Sequence, residues 1–424
     1  MNKSSIATIG LALLLISLAT VLIVRYAGMG SAPPAAPKIE KKSLIKFVVA
    51  DYSSATKPYF ENLVNEFESE YPHIDIELQV INWDIIDSVY KTMISRDQPP
   101  DLLLSNLYAH FVQDGLLNRM DELLSPALEE KLYPFLADPH RVGGVQYSIP
   151  YVSTVRELYY NKDLFEEAGL TEPPGTWPEL EQAARQIKDK LRVEGFGVDL
   201  TDNEIWAYLT YFFIGAGGGW MQDGKWAINS EANVEGLSFL KQLYEQGLTD
   251  AEPTVTTRDE KQRILGNGKL GMMISGNYFE AVVPYEYRGL RWGKGPIPVR
   301  EGAAPFVFGV QDVLISFKTD HTDREALSLF LDFLYDDDRY EELILREGFL
   351  PVTRTVGDNL SLNNPAMTQN LEALQRARFY PIHEPAWSTV LDATRNMGQA
   401  VLSGPMSPRQ ALDRLQEIAL SRKP

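Results

Sequence analysis

The sequence predicts an α/β fold with two lobes, because short apolar strands alternate with amphipathic helices along its 424 residues. Residues 44–50 form an apolar run typical of a buried strand, and apolar side chains from Phe60 to Tyr71 recur at helical spacing. Residues 74–80 alternate apolar and polar side chains, as a half-buried strand does, and a third strand follows at 102–104. This order predicts right-handed crossovers and a mainly parallel sheet. At about 150 residues per domain, the length favours two or three domains.

The second half of the chain repeats this alternation and adds clear helix ends. Residues 158–160 are predicted as a strand, and Asn161 as the N-cap of a helix that ends at Gly169. Thr176 and Glu179 form the capping box of the next helix. Further elements are predicted as a helix at 234–244, strands at 271–275 and 313–316, and a helix at 325–334.

A segment without charged residues, from Ile6 to Val24, lies near the N terminus. As a helix it would be about 29 Å long, close to the ~30 Å hydrocarbon core of a bilayer. It predicts a signal or membrane-anchor segment over residues 1–30, followed by a linker rich in Pro and Ala over residues 31–43. The run is longer than the about 7–15 apolar residues of a usual signal peptide, so an uncleaved anchor is preferred. Cleavage after a small-x-small sequence at 28–30 stays open as the alternative.

The composition excludes several classes of function. A net charge of −18 with no basic stripe excludes nucleic-acid binding, and the absence of cysteine excludes disulfides, thiolate metal sites and cysteine nucleophiles. The five histidines lie far apart and no zinc, P-loop or nucleophile-elbow motif occurs, so no metal, cofactor or catalytic residue is expected. A catalytic carboxylate pair stays open, because such pairs are recognised by their distance in space.

Aromatic and planar polar side chains follow several predicted strands. In open α/β sheets, ligands lie beyond the carboxyl ends of the strands. The side chains at those positions, with two tryptophans near a glycine-rich loop, are Tyr52, Ser53, Asn106, Tyr108, Tyr151, Tyr278, Trp206 and Trp220. A sugar presents hydroxyl groups at its edge and C–H groups on its faces, so its site combines aromatic rings with hydrogen-bonding side chains. Core packing explains each ring taken singly, but the set favours a sugar-binding cleft.

Several longer motifs occur in a fixed order. They include FESEYPHIDIEL (67–78), PPDLLL (99–104), GGVQYSIPY (143–151), LYYNKDLFEEAGLTEPPGTWPEL (158–180), GKLGMMISGNY (268–278) and GFLPV (348–352). With these motifs, the chain resembles the sugar-type extracellular solute-binding proteins of ABC importers, the group that includes maltose-binding protein. The resemblance covers residues 43–412, and the block at 158–180 is its most specific part.

The resemblance implies a periplasmic-binding-protein-like fold, in which each of two lobes is a mainly parallel sheet flanked by helices. Three crossovers between the lobes would form a hinge, and they are expected near residues 152–154, 294–296 and 351–354. The resulting lobes would be an N-lobe of residues 44–151 plus 296–350 and a C-lobe of residues 152–295 plus 354–424.

The resemblance also implies which residues contact the ligand. The matching positions are Tyr52, Asn106, Tyr108, Tyr151, Thr154, Trp220, Tyr278 and Trp387. Gln311 and Asp312 are weaker candidates on a strand that returns to the N-lobe. Many relatives are lipoproteins, whereas this chain has no cysteine to carry a lipid.

The expected function is that of a monomeric, extracytoplasmic binding protein, held by its N-terminal helix, that delivers a small neutral sugar or polyol to an ABC permease. Recognition would involve closure of the lobes without chemical change. Two alternatives stay open: a sensor subunit that presents its ligand to a membrane receptor, and an extracytoplasmic glycoside hydrolase.

Overall fold

The computed structural model describes residues 42–402 and 404–421, apart from the side chains at 84 and 399. The predicted anchor, residues 1–30, and all but the last two residues of the predicted linker, 31–43, lie outside this part. Within it, no helix combines the length and the apolar character that crossing a membrane requires.

The described residues form twelve strands and seventeen α-helices; strands and helices are interspersed up to the last strand, and the last six helices follow it in succession. The strands are β1 (Ser43–Asp51), β2 (Ile74–Asn82), β3 (Leu102–Ser105), β4 (Arg141–Val142), β5 (Val145–Gln146), β6 (Ser148–Asn161), β7 (Glu194–Gly197), β8 (Met221–Gln222), β9 (Lys225–Trp226), β10 (Leu270–Gly276), β11 (Trp292–Gly295) and β12 (Phe308–Ser316). The helices of the first half are α1 (Thr56–Glu70), α2 (Trp83–Ser95), α3 (Ala109–Gln113), α4 (Pro126–Lys131), α5 (Pro134–Ala137), α6 (Lys162–Ala168), α7 (Trp177–Leu191) and α8 (Ile205–Gly215). Those of the second half are α9 (Glu231–Glu245), α10 (Arg258–Gly266), α11 (Phe279–Glu286), α12 (Arg324–Leu334), α13 (Asp337–Glu347), α14 (Arg354–Ser361), α15 (Pro365–Gln375), α16 (Trp387–Leu402) and α17 (Pro408–Ser421).

Local signals place the helix ends as the sequence predicts. Asn161 caps α6 by accepting hydrogen bonds from two backbone N–H groups of its first turn, and Gly169 ends it in the left-handed region at φ 80°. Thr176 and Glu179 form the predicted capping box of α7. The apolar face of α1 packs on the sheet, where the Phe60 ring lies 5.7 Å from that of Phe47 on β1. These predicted elements are confirmed.

One eight-stranded sheet connects the described residues, in the order β2-β1-β3-β12-β6-β10-β7, with β11 also paired to β6. The pairs of β1 with β2 and β3, and of β7 with β10, are parallel. In the centre, β12 and β6 run antiparallel to each other. The long strand β6 pairs with β12 through its first nine residues and with β10 and β11 through the later ones. A bulge interrupts β12 between Asp312 and Val313.

The pairing bears on where the chain crosses between the lobes, whose boundaries stay a prediction. The first expected crossover, at 152–154, lies in the middle of β6. The second, at 294–296, falls where β11 pairs with the later part of β6. A few residues further on, the Val299 carbonyl accepts a hydrogen bond from the backbone N–H of Trp177 at 2.8 Å. This pairing favours a later crossover within β12. The third, at 351–354, precedes α14 and α15, whose Val356 and Leu374 join the core around β1, so a later position is favoured there too.

Candidate functional site

A cavity of about 1220 Å³ opens where β6 and β12 run side by side. Val152, Thr154 and Arg156 line it from alternate positions of β6, and Val310 and Asp312 do so from β12. Alternate residues of a strand share one face, which explains this spacing. The cavity therefore lies over the two strands that join the halves of the sheet.

One side of the cavity, here called the Tyr52 wall, consists of Asp51, Tyr52, Trp83, Asp312, Glu347 and Phe349. Tyr52 follows β1 and donates its hydroxyl to Asp312 Oδ2 at 2.8 Å. Its ring lies 4.7 Å from that of Phe349, edge to face, and 5.8 Å from that of Trp83. Aromatic rings and carboxylates thus lie side by side on this wall.

The loop that carries Tyr52 is held in place by a short chain of hydrogen bonds. The backbone N–H groups of Tyr52 and Ser53 both donate to Thr56 Oγ1 at 2.9 Å. Thr56 donates its own hydroxyl proton to Glu347 Oε1 at 2.7 Å. The first turn of α1 and the end of α13 therefore fix the position of the loop.

A second part of the lining, here called the Arg156 wall, consists of Arg156, Glu204, Trp206, Arg258 and Tyr278. Arg156 donates to the Tyr278 hydroxyl at 3.1 Å and to Glu204 Oε1 at 3.5 Å. Arg258 pairs with the same Glu204 oxygen, and its guanidinium lies 5.3 Å from the centre of the Tyr278 ring. Arg156 thus contacts the hydroxyl of Tyr278 and Arg258 its ring, while Glu204 holds both arginines in place.

Burial changes the protonation of several carboxyl groups in the cavity. It raises the pKa of Asp312 to about 6, although the hydrogen bond from Tyr52 and the charge of Arg156 act against the shift. The pKa of Asp199 also rises to about 6, by burial and by the negative charge of Glu204. The pKa of Glu347 is raised for the same first reason, burial.

Seven of the twelve residues predicted from the sequence line the cavity. They are Tyr52, Ser53, Asn106, Thr154, Trp206, Tyr278 and Asp312. Trp206 has a buried ring that donates its Nε1–H to the Asn203 carbonyl at 2.7 Å. Tyr278 is one of the predicted residues, but the guanidinium groups of Arg156 and Arg258 already cover part of its ring.

The other five predicted residues lie in the core and not in the cavity wall. Tyr151 and Gln311 neighbour Val152 and Asp312 along their strands, so they point to the other face of the sheet. Tyr151 packs there on Tyr335 at 5.3 Å, and Gln311 Oε1 lies 2.9 Å from His140 Nε2. Alternation along each strand therefore separates these two from the cavity.

Tyr108, Trp220 and Trp387 are likewise taken up by core contacts. Tyr108 donates its hydroxyl to the His140 carbonyl at 2.8 Å, and Trp220 donates its Nε1–H to Thr210 at 2.7 Å. The rings of Trp220 and Trp387 pack against each other at 5.0 Å. Trp220 and Trp387 thus pack between α8 and α16, and Tyr108 is buried beside His140, so none of the three lines the cavity.

Sequence reasoning missed Trp83, Arg156, Glu204, Arg258, Glu347 and Phe349, which also line the cavity. Arg156 had a usable signal, because it stands two residues after the predicted Thr154 on a strand. Glu204 and Arg258 are 54 residues apart and meet only because the fold brings the starts of α8 and α10 together, so no local pattern marks them. Within the described part of the chain, no group of three or more His, Asp or Glu side chains could hold a metal ion.

Comparison with known proteins assigns the chain to a family. The sequence profile described as bacterial extracellular solute-binding protein matches residues 52–339. The chain belongs to this family. A protein of Brucella abortus (strain 2308) assigned as a binding protein is 30% identical over 374 residues, which cover 87% of this chain and 90% of that protein. The resemblance stated from the motifs is therefore confirmed, and the family places such proteins outside the cytoplasm.

A second relative and a solved structure extend the comparison. The sn-glycerol-3-phosphate-binding periplasmic protein of Agrobacterium fabrum (strain C58 / ATCC 33970) is 26% identical over 329 residues, covering 69% of this chain and 73% of that protein. The crystal structure of an ABC transporter solute-binding protein from Thermotoga lettingae TMO, bound with α-D-tagatose, matches with a TM-score of 0.78. It is 21% identical, and the match covers 89% of this chain and 100% of that one. The α/β class and the two-lobed periplasmic-binding-protein fold are thus confirmed.

Proposed function

We propose that this solute-binding protein captures a saccharide or polyol in the cavity and delivers it to an ABC-type permease. The observation that carries the proposal is the cavity itself, in which aromatic rings lie beside hydrogen-bonding groups over two strands that join the halves of the sheet. That combination suits a ligand with both C–H faces and hydroxyl edges. The α-D-tagatose bound by the Thermotoga lettingae protein supports the same class of ligand.

The proposed contacts come from both walls. They are Tyr52, Ser53, Asn106, Thr154, Trp206, Tyr278 and Asp312 from the predicted set, joined by Trp83, Arg156 and Phe349. Thr154 supports this assignment, because its hydroxyl lies in a residue only 5% exposed and has no partner within the described residues. A ligand hydroxyl would satisfy that group, whose desolvation otherwise costs about 1–3 kcal/mol.

Closure of the lobes would trap the ligand. The cavity floor consists of β6 and β12, and the bulge after Asp312 gives β12 a place to bend. We propose that the protein acts as a monomer, without catalysis, at the outer face of the cytoplasmic membrane, with residues 1–30 as its anchor. The family, whose members are binding proteins, supports the absence of catalysis.

A thermal-shift screen of the purified full-length protein tests this function. The panel contains neutral sugars, polyols, amino sugars, phosphorylated sugars, amino acids and peptides. At a ligand concentration of 100 Kd, binding adds about 2.7 kcal/mol to the free energy of unfolding, so a cognate saccharide raises the melting temperature. Chromatography of the same mixtures should show no product. Stabilisation by amino acids or peptides alone, or conversion of a glycoside, would overturn the proposal.

A further inference from the structure

The cavity contains more carboxylates than cationic groups, and some of these carboxylates form no ion pair within the described part of the chain. Nine carboxylates line it against five guanidinium groups, and no lysine contributes. This imbalance bears on the charge of the ligand, and the inference drawn from it rests on the proposed saccharide-binding function.

All five arginines of the cavity are already neutralised by carboxylates of the protein. Arg156 and Arg258 share Glu204, and Arg258 also pairs with Asp259 at 3.0 Å. The remaining pairs are Arg263 with Glu260 at 3.0 Å, Arg346 with Glu342 at 2.6 Å, and Arg395 with Asp87 at 3.0 Å. An anionic ligand would have to displace one of these internal partners.

Three carboxylates of the Tyr52 wall are in the opposite situation. Among the described residues, Asp51, Asp312 and Glu347 have no lysine, arginine or histidine within ion-pair distance. Asp312 and Glu347 accept only neutral hydroxyl groups, from Tyr52 and Thr56, and Asp51 Oδ1 has no hydrogen-bond partner. The charges of Arg156 and Arg258 act on Asp312, and that of Arg346 on Glu347, only from beyond ion-pair distance. Buried carboxylates normally have a cationic partner in contact, and Asp312 and Glu347 lack one among the described residues.

The rings around these carboxylates add a second attraction for a cation. The Phe349 ring lies 4.7 Å from that of Tyr52 and 6.0 Å from that of Tyr278, and the Trp83 ring lies 5.8 Å from that of Tyr52. The face of an aromatic ring attracts ammonium groups through its quadrupole, most strongly where water is excluded. A ring cluster beside unpaired carboxylates suits an alkylammonium group better than a hydroxyl group alone.

We propose that the ligand is an amino sugar, or an oligomer containing one, whose protonated amine lies beside Asp51, Asp312 and Glu347. Its hydroxyl groups would then contact Thr154 and the side chains of the Arg156 wall. This revises the expectation of a neutral ligand and disfavours phosphorylated sugars and uronic acids. Burial raises the pKa values of Asp312 and Glu347, and a bound cation would lower both again.

Calorimetric titration with matched sugars tests the inference. Glucosamine, galactosamine, mannosamine and their β-1,4-linked dimers are compared with the N-acetylated sugars, the neutral hexoses and the 6-phosphates of the same configuration. The tightest ligand should carry a free amine and bind at least about tenfold more tightly than its neutral counterpart. If a neutral, acetylated or phosphorylated sugar binds as tightly or more tightly, the inference fails while the saccharide function stands. If no sugar binds, both fail.

Two substitutions of the Tyr52 wall sharpen the test. Asp51→Asn removes a charge without removing a hydrogen bond to Oδ1, and Asp312→Asn removes the more deeply buried charge. Each should weaken binding of the amino sugar about tenfold and change the affinity for the matching neutral hexose much less. The control, Asp189→Asn on the exposed face of α7, makes the same change of net charge away from the cavity. Unchanged affinity for the amino sugar in Asp51→Asn would overturn the inference even if Asp312→Asn fails to fold.

Discussion

Both walls of the cavity contain aromatic rings and carboxylates, but the carboxylates have different partners on the two walls. On the Arg156 wall, Glu204 lies between two guanidinium groups, and every charge has an opposite charge in contact. On the Tyr52 wall, Asp312 and Glu347 receive only hydroxyl donors. The charges of the first wall compensate each other without a ligand and hold Tyr278 in place, whereas the carboxylates of the second have no cationic partner in contact among the described residues. Removing the shared carboxylate of the first wall should therefore reduce stability most, whereas removing a carboxylate of the second wall should also weaken ligand binding.

The largest effect on stability is expected from removing Glu204, the carboxylate that Arg156 and Arg258 share on the Arg156 wall. Glu204→Ala leaves Arg156 and Arg258 facing each other with reduced compensation in a site where Arg156 is 5% exposed. The free energy of unfolding should fall by about 3–5 kcal/mol, the usual cost of breaking a buried ion pair. Urea denaturation measures this change. The control Glu260→Ala breaks the exposed pair with Arg263 and should cost less than about 1 kcal/mol. Equal losses in the two variants would show that the Arg156 wall is not a rigid, internally paired unit.

Asp312 on the Tyr52 wall should make the free energy of unfolding depend on pH, with an effect of intermediate size. In the folded state the pKa of Asp312 is about 6, above its usual value of 3.8, so the folded protein holds this proton more firmly. The stabilisation is full below the unfolded-state pKa and is lost as the pH rises from about 4 through 6. At about 1.4 kcal/mol per pKa unit, roughly 3 kcal/mol is involved.

Comparing urea denaturation at pH 4 and pH 7 for the natural protein and Asp312→Asn isolates this contribution. The natural protein should lose more stability between the two pH values than the variant, in which the titrating group is absent. Asp199, whose pKa is also about 6, titrates in both proteins and therefore cancels in the comparison. The same pH slope in both would contradict the assignment.

The smallest effect should come from the hydroxyl that links Tyr52 to Asp312. Tyr52→Phe keeps the ring contacts with Trp83 and Phe349 but removes the donor at 2.8 Å. At pH 7, the free energy of unfolding should fall by about 1–2 kcal/mol, because a buried carboxylate loses its hydrogen bond. Tyr285→Phe, at a ring that is 78% exposed, is the matched control and should change nothing measurable. A loss no larger than that of the control would mean that water replaces the hydroxyl without cost.

Much of the fold could be predicted from local sequence. The alternation of strands and helices, the cap at Asn161 and the capping box at Thr176 depend on side chains within a few residues of each other. Tyr52 and Ser53 were identified for a related reason, since they directly follow a strand whose end lies at the cavity. Short-range patterns of this kind are readable because chain neighbours are always spatial neighbours.

The sequence did not predict which residues of a buried strand face the cavity. Along β6 and β12 nearly every residue is buried, so no polar–apolar alternation distinguishes Tyr151 from Val152 or Gln311 from Asp312. Which neighbour faces the cavity depends on the register of the two strands with each other.

By itself, then, the sequence determined the class of fold, the family and the strand ends that lead into the cavity. Tertiary structure alone decided the meeting of Arg156, Glu204 and Arg258, and the absence of a basic partner beside Asp312 among the described residues. The physical reason is range. Helical and strand periodicity arise from local backbone geometry, whereas the compensation of a buried charge depends on groups hundreds of residues apart, such as Tyr52 and Asp312, that only the folded sheet brings into contact.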